Sequence, residues 1–186
     1  REAEIGETVQ LRDKRVVVVV LSCKRFRNKQ KVIMETWAKD APENVTVLFF
    51  EGGDQNSRDG NRVALDCPDD YENLALKSHK MFRSVIREEN FDYLVKVDDD
   101  TFLDLDALLS ADIPRVEYMG HLRPASQNND MTSYASGGFY ILSREAVQDV
   151  AEFEFESGKD SPWWYGGQAG NDEWPIEQSV KDNASV

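Results

Sequence analysis

Val16-Val17-Val18-Val19-Val20-Leu21 is a run of six apolar residues, five of them β-branched. A strand with one wet face alternates polar and apolar residues. An unbroken run is what a strand needs when both faces are buried, as in a parallel sheet covered by helices. The sequence on either side agrees. Asn28 to Trp37 reads as a helix, and Val45 to Phe50 as a second buried strand stopped by Gly52-Gly53. Residues 51–61 carry turn chemistry and are expected to form a loop. Tyr71, Leu74, Ala75, Ser78, Phe82, Val85 and Ile86 recur at three- and four-residue spacing, one face of a helix of about five turns. Asp69 and Asp70 stand at its start, where they would cap free amides and suit the dipole. Phe91 to Val97 is a third strand, running into Asp98-Asp99-Asp100. Asp104 to Ser110 and Arg144 to Phe153 read as helices, and Val116 to Leu122 and Phe139 to Leu142 as strands. Residues 156–171 read as a glycine- and aromatic-rich loop, and the tail from Trp174 as one more helix. The expected fold is α/β: a mostly parallel central sheet with right-handed crossovers, flanked by helices, in a single domain. Residues 1–15 are expected to be an N-terminal extension or stem remnant, and residues 16–186 the domain itself. Ligands of such sheets bind beyond the carboxyl ends of the strands.

Composition narrows the function. The chain has 186 residues, with 22 Lys plus Arg against 35 Asp plus Glu, a formal charge of −13. Nucleic acid is excluded as a partner, because phosphate contacts need a basic face. No apolar run approaches the roughly 20 residues of a membrane helix, so any membrane attachment would come from an anchor outside this sequence. The start, Arg1-Glu2-Ala3-Glu4, is too charged for a signal peptide. Cys23 and Cys67 allow one disulfide at most, and with His79 and His121 they have no zinc-site spacing.

The triplet Asp98-Asp99-Asp100 carries the sharpest chemical signal. In extended backbone Asp98 and Asp100 project to one side and Asp99 to the other. Two carboxylates on one face suit a hard divalent cation, Mg²⁺ or Mn²⁺. The alternative is a solvated turn in which one Asp caps the next helix. A haloacid-dehalogenase-type phosphotransferase would want the motif on the first strand, and Phe102 stands where it uses Thr or Val. No Gly-x-Gly-x-x-Gly or P-loop pattern is present. A cation bridging the diphosphate of a nucleotide sugar fits an acidic chain that lacks phosphate-cradling loops.

The order of motifs resembles the β-1,3-galactosyltransferase and N-acetylglucosaminyltransferase group, family 31 of the glycosyltransferases, with the fringe proteins as relatives. Val16–Ser22 with Ile33-Met34-Glu35-Thr36-Trp37 is similar to the family's opening strand and helix. Asp66 to Ser78, Phe91 to Phe102 and Tyr134 to Ser143 resemble three further family segments in sequence order. The resemblance implies a GT-A-like, Rossmann-like fold and an inverting, metal-dependent transfer of a hexose from a UDP-sugar to a hydroxyl of a glycan or glycoprotein. Galactose is the expected sugar, and Mn²⁺ or Mg²⁺ the expected cofactor. Asp100 and Asp98 would be the metal ligands. Ser22, Lys24, Arg27, Lys77, Asp98 and Asp99 would face the UDP-sugar. Inversion needs a carboxylate base opposite the leaving UDP. Glu173 matches the family's base position, with Asp172 second, although the two acids stand in swapped order. The family's late histidine metal ligand has no counterpart after His121.

Other residues keep two readings. Lys24, Arg25 and Arg27 would meet uridine or phosphate, or be solvated charge. Gly137 and Gly138 would let backbone approach the acceptor sugar, or simply make a bend. Trp163-Trp164-Tyr165 would be an aromatic platform for the acceptor, or packing. His121 reads as a satisfied core histidine. Asn44-Val45-Thr46 and Asn183-Ala184-Ser185 are glycosylation acceptor patterns, which suit a glycoprotein of the Golgi lumen, the soluble domain of a type II membrane protein. The rival classes are a non-catalytic sugar- or nucleotide-binding module on the same fold and a metal-dependent phosphohydrolase.

Overall fold

The valine run forms strand β2 (Val16–Leu21), and all six of its residues are buried. The structure is a computed structural model that describes residues 7–115, 117–123 and 134–154. In chain order the other strands are β1 (Thr8–Gln10), β3 (Val45–Gly53), β4 (Ser57–Asp59), β5 (Arg62–Asp66), β6 (Tyr93–Asp98), β7 (Asp112–Pro114), β8 (Tyr118–Arg123) and β9 (Tyr134–Ser143). The helices are α1 (Arg27–Glu35), α2 (Leu74–Glu88), α3 (Leu105–Ser110) and α4 (Arg144–Glu152). Among the described residues seven strands make one sheet, in the order β4-β5-β3-β2-β6-β9-β8. Strand β2 lies between two parallel neighbours, with Val18 opposite Val47 of β3 and Val95 of β6.

Helices cover both faces, which is why β2 has no polar residue. On one face Val17, Val19 and Leu21 pack with Met81, Phe82 and Val85 of α2 and Val147 and Val150 of α4. On the other, Val16, Val18 and Val20 pack with Ile33 of α1 and Leu105 and Leu109 of α3. Each buried valine contributes roughly 1.5–3 kcal/mol relative to an exposed one.

Several expectations need correction. The sheet is mixed, not mostly parallel: β5-β3, β3-β2 and β2-β6 are parallel, whereas β4-β5, β6-β9 and β9-β8 are antiparallel. Strand β9 starts at Tyr134, five residues ahead of the expected Phe139, because its Ser-Gly-Gly stretch stays extended. Residues 51–61 are not all loop. Strand β3 continues through Gly53, and β4 turns into β5 at Gly60, whose φ of +59° suits a residue without a Cβ. Gly52 lies where a Cβ would come within 2.7 Å of Cys67 O, Pro68 O and Asp69 Cα, so here glycine permits close chain approach and does not end the strand. His121 lies within β8 and is exposed, not a core residue.

Residues from the expected N-terminal extension pack on the domain. Strand β1 pairs with β7, and Leu11 is fully buried. Asn44 Nδ2 donates to Arg12 O at 3.1 Å and Lys14 O at 2.7 Å, so a glycan on that nitrogen would displace at least one of these bonds. Asn183 lies outside the described residues. Cys23 and Cys67 are unpaired thiols, and burial pushes the Cys67 thiol up. Among the described residues no helix is long and apolar enough to cross a membrane.

Candidate functional site

Strands β2, β3 and β6 run in parallel, so their carboxyl ends deliver Ser22, Glu51 and the aspartate triplet to one edge. The triplet does not alternate as an extended segment. The strand ends at Asp98, and Thr101 N donates to Asp98 O at 3.2 Å, so Asp99 and Asp100 sit in a turn. The turn gives each carboxylate a separate environment.

Asp99 is the anchored one. Its Oδ2 accepts from Ser22 Oγ at 2.8 Å and its Oδ1 from Lys29 Nζ at 2.8 Å. The Lys29 ammonium also lies 4.2 Å from the centre of the Phe26 ring, and its bond to Asp99 holds its pKa above the ordinary lysine value. Asp98 accepts on Oδ1 from Lys96 Nζ, which also donates to Gly137 O. Lys96 is 1% exposed, and burial pushes its pKa down, against the opposing pull of Asp98. Gly138 lies beside Asp98, where a Cβ would stand 3.8 Å from Oδ2. Asp100 is the open carboxylate. Its side chain is 73% exposed, and Lys29 is 3.8 Å away.

The expected phosphate cations sit beside this group, each with a different degree of engagement. Arg27 forms a two-pronged pair with Glu51, whose side chain is 2% exposed, and this holds the guanidinium pKa up. Lys77 is buried and donates to Ser22 O at 3.0 Å and Asp69 Oδ1 at 2.7 Å. Asp69 does not cap the helix as expected; it also accepts from Gly52 N and Lys24 N, both at 2.7 Å. Burial alone would raise the Asp69 pKa, but Lys77 and the two amides outweigh it and hold the carboxyl below its usual range. Asp70 does sit near the helix start, accepting from Asn73 N at 2.9 Å. The Lys24 ammonium makes no ion pair among the described residues. With Arg27, Glu51 and Gly53 it lines a cavity of about 290 Å³ beside the end of β3.

Sequence reasoning missed Lys29, Gln30, Glu51 and Lys96 as parts of this edge. Gln30 is buried and links Ser22 Oγ, at 3.2 Å, to Glu51 Oε2, at 3.4 Å. A signal existed for Lys96 and Glu51, since each is a charge within or at the end of an apolar strand. Nothing in the local pattern marks Lys29 or Gln30, which look like ordinary helix residues. Gly137 and Gly138 lie against the triplet. Trp163, Trp164, Asp172 and Glu173 lie outside the described residues.

The donor set fits a hard cation that keeps water. Asp98 Oδ2 and Asp100 offer open carboxylate oxygens, whereas both oxygens of Asp99 are occupied. Among the described residues no group of three or more His, Cys, Asp or Glu side chains is placed to hold a metal. Mg²⁺-like ions commonly take one or two carboxylates and complete their shell with water and substrate phosphate.

The galactosyltransferase family model matches residues 28–116, from the start of α1 through the triplet to just past β7. That match makes the segment similar to the galactosyltransferases and bears out the resemblance read from the motifs. Among solved structures, the chain is similar to the apo-form glycosyltransferase GlyE of Streptococcus pneumoniae TIGR4, at 12% identity and a TM-score of 0.38. The matched part covers 70% of this chain and 34% of that one.

Proposed function

We propose that the protein is an inverting, metal-dependent glycosyltransferase that moves a hexose, galactose by expectation, from a UDP-sugar to a hydroxyl of a glycan or glycoprotein. The observation that carries this reading is the division of labour in the triplet. Asp99 is locked by Ser22 and Lys29, and Asp98 is oriented by Lys96, while open oxygens of Asp98 and Asp100 face the sheet's carboxyl edge. Among the nearby cations, Arg27 and Lys77 are held by acids, which leaves Lys24 as the residue to approach a phosphate. A bound Mn²⁺ or Mg²⁺ would supply the positive charge that the diphosphate leaving group needs. Asp98 and Asp100 would hold it.

Within this reading Glu173, or Asp172 one position earlier, takes the proton of the acceptor hydroxyl. The acceptor oxygen then bonds the anomeric carbon as the bond to the diphosphate breaks and UDP leaves. Trp163 and Trp164 offer the acceptor an aromatic surface, and Gly137 and Gly138 allow it close to the triplet. Residence in the Golgi lumen, as the soluble part of a type II membrane protein, belongs to the same proposal.

The test is UDP binding by calorimetry with Mn²⁺ and with EDTA, followed by UDP release from a panel of UDP-sugars with and without glycan acceptors. Metal-dependent binding and acceptor-dependent release are expected. Binding that ignores EDTA would remove the metal role from Asp98 and Asp100. Binding with no release from any donor would leave a binding module.

A further inference from the structure

A second charged region lies away from the triplet, where α2 faces the β4-β5 hairpin. A cleft of about 420 Å³ opens there, within the size range of small-ligand sites. Four cations border it, Arg58 from the hairpin and Lys80, Arg83 and Arg87 from α2, against the single carboxylate of Glu88. The balance is the reverse of the chain's, which carries 22 cations to 35 acids. The three helix cations fall on one stripe, at i, i+3 and i+7, one per turn.

Some of this charge is already engaged. Arg58 pairs with Glu89 at 2.6 Å, Arg87 with Glu88, and Lys80 donates to Asp66 O. Arg83 is exposed and makes no ion pair among the described residues. Ser84, next to it, is 6% exposed and lines the cleft, and its hydroxyl has no hydrogen-bond partner among the described residues. Its hydroxyl is within reach of solvent in the cleft and is free to donate to an anion that enters there. Lys80, Arg83 and Arg87 also border a hollow on the other side of α2, where Arg144 of α4 adds a fifth cation opposed by Glu152 and Glu154. The stripe is therefore a ridge with a groove on each side.

We propose that this ridge is a binding site for a short anionic oligosaccharide bearing sulfate or carboxylate groups, with Arg83 and Arg87 gripping the anions and Ser84 donating from the cleft floor. Arginine forks match oxyanions bidentately, and one cation per helical turn suits a ligand with repeated charges. Length is limited by the rest of the molecule. With an overall charge of −13, a long polyanion reaches repulsive surface, whereas a short one can stay close to the ridge. This site stands independently of the transferase reading.

The experiment is titration of the full chain with a heparin-derived hexasaccharide, its desulfated counterpart and phosphatidylserine vesicles, with UDP plus Mn²⁺ as a parallel arm. Saturable binding of the sulfated hexasaccharide is expected, with affinity falling as salt rises and much weaker binding of the desulfated form. The double variant Arg83→Ala/Arg87→Ala should weaken it by about tenfold or more, and Ser84→Ala by a smaller factor, with UDP affinity and melting temperature unchanged. No binding by the wild type, or equal binding by the double variant, overturns the proposal. Binding to vesicles without the hexasaccharide overturns it in favour of a membrane surface. Loss of the UDP arm alone counts against the transferase reading and leaves this one standing.

Discussion

The two ends of the central sheet are both laced with ion pairs, but of different kinds. At the amino end Arg115 pairs with Glu7, with side chains 71% and 77% exposed, and Arg15 with Asp92. At the carboxyl end Lys77, Lys96 and Glu51 each take part in a pair while almost fully buried. Exposed pairs add little, because water screens them and holding long side chains costs entropy. Buried ones cost desolvation that their attraction scarcely repays, and an apolar replacement often serves stability as well. The carboxyl end therefore retains charge for what it holds in place: Lys96 orients Asp98, Lys29 and Ser22 fix Asp99, and Lys77 ties Asp69 to the strand ends.

Breaking one partner on each end tests this contrast, and the largest effect is expected from Lys77→Met. It keeps the aliphatic bulk and leaves the Asp69 carboxylate with only its two amide donors. The loss should be roughly 2–4 kcal/mol in urea unfolding, at or below the cost of a fully buried orphaned charge because Asp69 is partly exposed. A shift no larger than that of an amino-end variant would erase the distinction. Asp100→Asn comes next and should dissociate function from stability. UDP affinity in Mn²⁺ should fall by about 10–100-fold, on the scale of a lost supporting contact to a metal or more, with an unchanged unfolding midpoint. Equal UDP affinity in the variant would show that Asp100 is only a solvated turn residue.

The pH dependence sharpens the comparison further. The folded pKa of Asp69 lies below its unfolded value, so its stabilising contribution is complete above the unfolded pKa, about 3.9, and is lost as pH falls through the folded one. Asp69→Asn should thus be less stable than wild type at neutral pH, and the gap should close in acid. Unfolding midpoints taken at about pH 7 and about pH 2–3 check this. A gap that stays constant would place the effect in packing instead of charge. The smallest effect is expected from Arg115→Ala, whose unfolding midpoint should be indistinguishable from wild type. A clear loss there would mean that the short β1-β7 pairing depends on its flanking ion pair.

Much of the fold was legible because burial on both faces leaves a direct mark in sequence. Val16–Leu21 had to be an inner strand, and the spacing from Tyr71 to Ile86 had to contain a helix, although α2 begins only at Leu74 and leaves Tyr71 exposed. The helix starts at Asp104 and Ser143 were equally local, since each side chain accepts from the amide three residues on, Ala107 N and Ala146 N. Strand direction was not legible: nothing in the residues of β9 marks its sense, and only its register with β6 shows that the two run antiparallel. Gly52-Gly53 read as a stop because glycine is permissive, and only the close approach of residues 67–69 shows why the strand needs it.

The same division holds for the site. Sequence alone determined that three carboxylates follow a buried strand, because three adjacent aspartates at the end of an apolar run are a local fact. Tertiary structure decided which of them is free. Lys29 lies 70 residues from Asp99, and Ser22 lies 77 away. Each reaches it because parallel strands bring distant carboxyl ends to one edge. Sequence reading did not single out Lys80, Arg83 and Arg87, and only the fold brings Arg58 across from the hairpin to make a basic cleft with them in an acidic chain. Charge totals are a property of the sequence, whereas local fields depend on which side chains come within a few ångströms, and that distance is set by the fold.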